Sequence, residues 1–74
     1  MQYELFSVSG GHITTFESAW CFQEGEQVFV HDDNKKRNFI IIRLTHDLFQ
    51  KNTHVIRLYC QEKKFMHKEK PLTV

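Results

Sequence analysis

The chain has 74 residues, of which 41% are hydrophobic, 26% charged and 14% aromatic. This length suits one small domain covering residues 1–74, and the aromatic content excludes an intrinsically disordered chain. No apolar run approaches the roughly 18 residues that a membrane helix requires, and the N-terminal residues lack the basic leader of a secretory signal. We therefore expect a soluble, cytoplasmic protein that does not enter a membrane.

The net charge of +1 conceals an asymmetry between the two halves of the chain. Residues 1–34 contain six Asp or Glu and no Lys or Arg, whereas residues 35–74 contain all ten basic residues and only three acidic ones. Such asymmetry favours an anionic partner for the basic half. The alternative is that strands from the two halves interleave and neutralise one another.

The first predicted element is a strand over residues 3–8, which are rich in aromatic and aliphatic side chains. Gly10 and Gly11 follow it and accept positive φ without penalty, which is typical of a hairpin turn. A second element should therefore begin near Ile13.

A short helix over residues 15–23 is the preferred interpretation of that second element. Thr14 stands three residues before Glu17, as in a capping box, and Gly25 lies where a helix would end. The competing interpretation is a strand, because the aromatic residues within 20–22 also suit a sheet.

Two strands, over residues 27–31 and 37–44, are predicted around a polar turn at residues 31–36. The second is the longest apolar run and is interpreted as the central strand. Alternation along it assigns Asn38, Ile40, Ile42 and Leu44 to the core and places Arg37, Phe39, Ile41 and Arg43 on the opposite face.

A loop or single helical turn is predicted over residues 45–52, with Leu48 and Phe49 held against the core. Residues 53–60 alternate as a strand, with Arg57 and Tyr59 on one face. For residues 61–70, a turn followed by a strand at 65–67 is favoured over a helix at 62–70 that Pro71 would stop.

These elements predict a mainly β fold, or α+β with one short helix, built as a small antiparallel sheet or a partly open barrel of four to five strands. A Gly25-led strand, a charged turn, a long apolar strand, another strand and a short basic ending together resemble the small SH3-like barrels. That resemblance implies a fold and not an activity.

No metal or cofactor is expected, although the chain has five His and two Cys. Cys21 and Cys60 form no C-x2-C pair, and no two His have the short spacing of zinc ligands. Without a secretion signal, both cysteines are interpreted as buried free thiols rather than as a disulfide.

We expect the protein not to be an enzyme, because none of its three serines lies in a nucleophile elbow. A small metal-independent ribonuclease is the less favoured alternative. In it, His46, His54 or His67 would act as acid or base while an Arg or Lys holds phosphate.

The sequence best supports a protein-interaction module, an inhibitor or adaptor, that contacts an acidic partner surface through a basic and aromatic sheet face. The candidate binding residues are Arg37, Phe39, Arg43, Arg57, Tyr59 and Lys64. The same mixture suits single-stranded RNA or DNA, so nucleic-acid binding is the alternative. A homodimer that pairs acidic with basic surface is also allowed. The non-functional interpretation is a face covered by the predicted helix, with arginines extending to water.

Overall fold

A computed structural model describes residues 1–64 of the chain. These residues form five strands: β1 (Gln2–Ser7), β2 (Gly11–Glu17), β3 (Gln27–Asp32), β4 (Lys35–Phe49) and β5 (Thr53–Lys63). The prediction of a mainly β fold is confirmed, and no helix is present in the described part of the chain.

The five strands make one sheet in the order β2-β1-β5-β4-β3, which curls into a half-barrel. The β1–β2, β3–β4 and β4–β5 pairs are antiparallel, whereas β1 and β5 are parallel. The sheet is therefore mixed, and the prediction of an antiparallel sheet is wrong for the pair at its centre.

The core lies on the inner face of the curled sheet and comes from the three central strands. Its fully buried members are Tyr3, Leu5, Phe39, Ile41, Leu58 and Cys60. The alternation predicted along β5 is confirmed, because Leu58 and Cys60 point into this core while Tyr59 lies on the other face.

A β-bulge in β4 overturns the predicted core face of the central strand. Ile41 pairs with Cys60 and Arg43 pairs with Tyr59, so Ile42 is an extra residue without a partner. An extra residue inverts the alternation on one side of it. Phe39 and Ile41 are consequently 0% and 1% exposed, whereas Ile42, predicted as core, is 46% exposed.

The predicted helix over residues 15–23 is absent, because residues up to Glu17 form β2 instead. The β-branched side chains of Ile13, Thr14 and Thr15 favour extended backbone, and pairing with β1 satisfies the backbone groups that a capping box would have served. The hairpin predicted at the two glycines is confirmed, with Gly11 at φ +83°.

Residues 18–26 cross the open side of the half-barrel without regular structure. The Phe22 ring contacts those of Tyr3 and Phe16 edge-on, at 5.0 and 5.8 Å between centroids. The Tyr3 hydroxyl donates a 2.6 Å hydrogen bond to the carbonyl of Trp20. This segment therefore lies against the inner face of the sheet and does not cover the outer face.

The β3–β4 hairpin is confirmed, with a two-residue turn at Asp33 and Asn34. The predicted loop over residues 45–52 is wrong, because β4 continues beyond its bulge to Phe49 and only residues 50–52 form the turn. Leu48 and Phe49 are 75% and 51% exposed, so they are not held against the core.

The alternative helix at 62–70 is excluded at its start, since β5 runs to Lys63. The predicted strand at 65–67 lies outside the described residues.

Candidate functional site

The six predicted binding residues lie in three places. Arg43, Arg57 and Tyr59 share the outer face of the sheet, as predicted. Arg37 and Phe39 lie on the inner face because the bulge at Ile42 separates them from Arg43. Lys64 follows the end of β5. The sheet therefore assembles only half of the predicted site.

Tyr59 is held on the outer face between two neighbouring side chains. The Phe6 ring stacks on it at 5.5 Å between centroids and 20° between planes. The Arg43 guanidinium carbon lies 5.3 Å from its ring centroid. The two neighbours come from strands on opposite sides of Tyr59, because β1 and β4 flank β5.

His12 extends this arrangement to a fourth strand, since its ring meets Phe6 at 5.4 Å and 75°. We call His12, Phe6, Tyr59 and Arg43 the outer-face row. Phe6 and His12 are not among the predicted binding residues, because only the parallel pairing of β1 with β5 brings Phe6 opposite Tyr59. The available signal was the aromatic side chain of Phe6 on a predicted strand.

Arg57 is engaged within the sheet rather than free for a partner. Its Nε donates a 2.8 Å hydrogen bond to Oε1 of Glu4, and its Nη1 donates to Oδ2 of Asp47. The hydrogen bond to Glu4, and the negative charge of Asp47 beside it, raise the pKa of Arg57. The Arg57 guanidinium thus links β1, β5 and β4. We infer that it holds these strands in position rather than contacting a partner.

Arg37 forms a second internal pair, on the inner face. Its Nε and Nη2 each donate a 2.9 Å hydrogen bond to the Glu62 carboxylate, in the bidentate geometry that suits these groups. This hydrogen bonding lowers the pKa of Glu62. The Arg37 guanidinium also lies 5.3 Å from the Phe39 ring centroid. Arg37 and Phe39 therefore stabilise the fold rather than present a binding face.

Lys64 belongs to a basic end of the sheet, where β4 begins and β5 ends. There Lys35, Lys36, Lys63 and Lys64 line a shallow pocket beside the Arg37–Glu62 pair. We call these four lysines the basic end.

The two strands of the basic half, β5 and β4, lie between strands of the acidic half in the sheet. Among the ion pairs within residues 1–64, Glu4–Arg57 is the one that joins the acidic half to the basic half, since Arg37–Glu62 and Arg57–Asp47 lie within the basic half. Strands of the two halves therefore interleave, and within residues 1–64 one ion pair joins the two halves directly.

Two histidines meet at the β4–β5 hairpin, where Nδ1 of His46 lies 2.9 Å from Nε2 of His54. Across residues 1–64, no three His, Cys, Asp or Glu side chains are grouped as metal ligands. The pair occupies inner-face positions of the strands, so the sheet separates it from Arg43 and Arg57 on the outer face. This separation weighs against the ribonuclease interpretation, in which a histidine and an arginine act on the same phosphate.

The two cysteines are free thiols in different surroundings. Cys60 is buried, as predicted, and burial raises its pKa to about 11. Cys21 is exposed, contrary to the prediction, because it lies in the irregular segment between β2 and β3.

The part of the chain that the structure describes contains no helix with the length and apolar character needed to span a membrane. Neither a protein-family model, nor a curated protein sequence, nor a solved structure matches this chain.

Proposed function

We propose that the chain is a small non-enzymatic protein-interaction module that contacts its partner through the outer-face row. The observation that carries this proposal is the fixed position of Tyr59 between Phe6 and Arg43. Within residues 1–64, no second layer covers this face of the sheet.

A Tyr fixed in this way has the properties of an interface hot spot. Its rotamer is already restricted, so binding costs little additional side-chain entropy. Tyr59 is half-buried, so part of its side chain is open to a partner. Tyr and Arg are the residue types enriched at such positions. Arg43 makes no ion pair within residues 1–64 and therefore offers its charge to an acidic partner.

The same geometry makes the outer-face row a poor platform for single-stranded nucleic acid. Bases bind by stacking on a free aromatic face. The Tyr59 ring already has a stacked aromatic neighbour and a guanidinium neighbour. Nucleic-acid binding remains the alternative function, and the observation that favours it is the basic end, with its four lysines around one pocket.

The proposal also includes a cytoplasmic location and a partly open SH3-like barrel. Free thiols are typical of reducing compartments, which supports a cytoplasmic location. The curl of the sheet and the β3–β4–β5 meander support a partly open SH3-like barrel, whereas the parallel pairing of β1 with β5 weighs against it.

The test starts with a pulldown on the immobilised chain, with and without nuclease, followed by affinity measurements on the partner recovered. Tyr59→Ala should weaken binding by about 2 kcal/mol or more, as truncation of a hot-spot side chain does. Tyr59→Phe isolates the hydroxyl, and Arg43→Lys keeps the charge while removing the planar group above the ring. Phe49→Ala, at an exposed aromatic residue on the β4–β5 hairpin, is the matched control.

Unchanged affinity in folded Tyr59→Ala and Arg43→Ala would remove the outer-face row from the proposal. If nuclease treatment abolishes recovery of the partner, nucleic-acid binding is favoured instead. In that case affinity should fall by roughly one power of salt concentration for each phosphate contacted. Substitution of Lys63 and Lys64 together should then reduce that slope, while Tyr59→Ala should not.

A further inference from the structure

The β4–β5 hairpin carries two histidines whose ring nitrogens meet. Nδ1 of His46 lies 2.9 Å from Nε2 of His54, and the ring centroids are 5.1 Å apart. Neither ring makes another hydrogen bond or an ion pair within residues 1–64. The two residues are eight positions apart in the chain, so the short spacing typical of zinc ligands does not identify them.

The sheet holds the two rings in fixed relative positions. His46 pairs with Ile56 and His54 pairs with Leu48, so the histidines are diagonal neighbours on one face of the ladder. After its bulge, this ladder runs in regular register to the turn at residues 50–52. Side chains on strands keep a geometry more precisely than side chains on loops. The nitrogen–nitrogen distance is therefore a property of the hairpin.

That distance matches two neighbouring ligands on one metal ion. A metal-bound imidazole nitrogen lies about 2.0–2.1 Å from the ion, so two that bind at right angles are about 2.9 Å apart, and two at the tetrahedral angle are about 3.3 Å apart. The histidine pair has the right-angle separation. Square-planar coordination is typical of Cu²⁺ and Ni²⁺, whereas Zn²⁺ prefers the tetrahedral arrangement.

Metal binding replaces the hydrogen bond between the rings. In that hydrogen bond one of the two nitrogens carries a proton, whereas a metal ion needs the lone pairs of both. The second nitrogen of each ring has no protein partner within residues 1–64, so the donor ring can take its other tautomer and keep the proton there. Two neutral rings then present lone pairs to the ion without net loss of a proton.

The surroundings of the pair admit a cation. No Lys or Arg lies within two residues of either histidine in the sequence. Arg57 is on the opposite face of the sheet and is paired with two carboxylates. The N-terminal amine precedes β1, the strand beside β5, and donates a 3.0 Å hydrogen bond to the carbonyl of Ser18. His46 is exposed, so an ion reaches the site from solvent.

We propose that His46 and His54 form a two-histidine site for a square-planar divalent metal ion. Nδ1 of His46 and Nε2 of His54 are neighbouring ligands, and water fills the remaining positions. Cu²⁺ binds more tightly than Ni²⁺, as the general affinity order of divalent metals requires. The site is independent of the outer-face row, because the sheet separates the two.

Isothermal titration calorimetry with Ni²⁺ and Cu²⁺ tests the site. Every protein carries Cys21→Ser, because the exposed thiol itself binds these ions and reduces Cu²⁺. One ion should bind tightly per chain. His46→Gln or His54→Gln should weaken its binding by at least about 100-fold, since the gain from simultaneous attachment of two ligands is lost.

Two variants at other histidines are the matched controls. His31→Gln changes an exposed histidine of β3, and His67→Gln changes the histidine beyond the described residues. Both should leave the affinity unchanged. Far-UV circular dichroism checks that every variant is folded.

Two further measurements identify the ligands. Strand pairing brings the histidines together only in the folded chain, so Ni²⁺ should raise the midpoint of thermal unfolding, and His46→Gln should abolish that rise. Electron paramagnetic resonance of the Cu²⁺ complex should show a tetragonal ion with two coordinated imidazoles. The remote nitrogen of each imidazole gives a pulsed-resonance signal that the N-terminal amine does not.

Unchanged affinity in folded His46→Gln and His54→Gln would overturn the proposal, and so would loss of binding in His31→Gln or His67→Gln. A Cu²⁺ spectrum with a single imidazole would assign the ion to another site. Binding of Zn²⁺ as tight as that of Cu²⁺ would exclude the right-angle geometry.

Discussion

Ile41 and Ile42 are adjacent and identical residues in opposite surroundings. Ile41 is 1% exposed in the core, whereas Ile42 is 46% exposed at the bulge. Removing a buried aliphatic group costs its transfer free energy and leaves a cavity, while removing an exposed one costs little. Comparing the same substitution at these two positions therefore tests where the bulge lies.

Ile41→Ala should lower the free energy of unfolding by about 2–5 kcal/mol, the range for buried aliphatic truncations. Ile42→Ala should change it by less than about 0.5 kcal/mol, as is usual for surface sites. Urea denaturation of the two variants provides the comparison, and each serves as the control for the other. A larger loss for Ile42→Ala would place the bulge elsewhere and restore the alternation predicted from the sequence.

Cys60 makes the stability depend on pH in the alkaline range. Burial raises its pKa from 9.0 to about 11. Above pH 9 the unfolded chain loses this proton while the folded protein keeps it, so the unfolded state gains stability. The free energy of unfolding should therefore fall between pH 9 and 11.

Comparison with Cys60→Val isolates this contribution, since Tyr and Lys titrate in the same range in both proteins. The variant should show a shallower fall than the unmodified protein in pH-dependent urea denaturation. Parallel curves would show that Cys60 is not protected by the core. Thiol labelling adds a check within one molecule, because exposed Cys21 should react first.

At the scale of the elements, the β1–β2 hairpin depends on one of its two adjacent glycines. Gly11 has φ +83°, a conformation that side chains with a Cβ rarely adopt. Gly10 does not have a positive φ, and a Cβ there would meet Ser7 at ordinary distances of 3.7 and 3.8 Å. The turn should therefore tolerate substitution at Gly10 but not at Gly11.

Gly11→Ala should destabilise the protein by roughly 1–2 kcal/mol, the cost of placing a Cβ in the left-handed region. Gly10→Ala should be close to neutral, and a small gain from reduced unfolded-state entropy is consistent with its geometry. Thermal unfolding of both variants tests the difference. Equal effects would mean that the turn does not require positive φ at Gly11.

On the scale of the whole molecule, the parallel pairing of β1 with β5 closes the fold. The Glu4–Arg57 ion pair joins these strands across 53 residues of sequence. Because β1 also carries β2, two of the five strands join the rest of the sheet through this pairing of distant segments. Such non-local pairing costs loop-closure entropy before it gains stability.

Folding should therefore be slow for a chain of this size, in the range of about milliseconds to seconds that is typical of sheets dominated by non-local contacts. Stopped-flow refolding followed by Trp20 fluorescence measures the rate. Leu5→Ala, at the buried centre of the β1–β5 pair, tests when this contact forms. Folding within microseconds would show that local hairpins, rather than the β1–β5 contact, limit the rate.

The features that are predictable from the sequence are those that depend on neighbouring residues. The two-residue period of residues 53–60 places Leu58 and Cys60 on one face, and the polar residues between β3 and β4 specify a turn. Gly11 marks the first hairpin. These signals are local because side-chain alternation and turn conformation are properties of a few consecutive residues.

Strand pairing in the folded chain sets which face of the central strand is buried and which side chains meet on the outer face. One extra residue, Ile42, inverts the alternation of β4 and transfers Phe39 from the predicted binding face to the core. Sequence periodicity does not reveal such an insertion, because both frames are apolar. The contact of Phe6 with Tyr59, and the extension of β2 in place of a helix, follow from strand pairing. Pairing depends on the total free energy of the sheet rather than on local preference, so tertiary context outweighs the helical signal of a capping box.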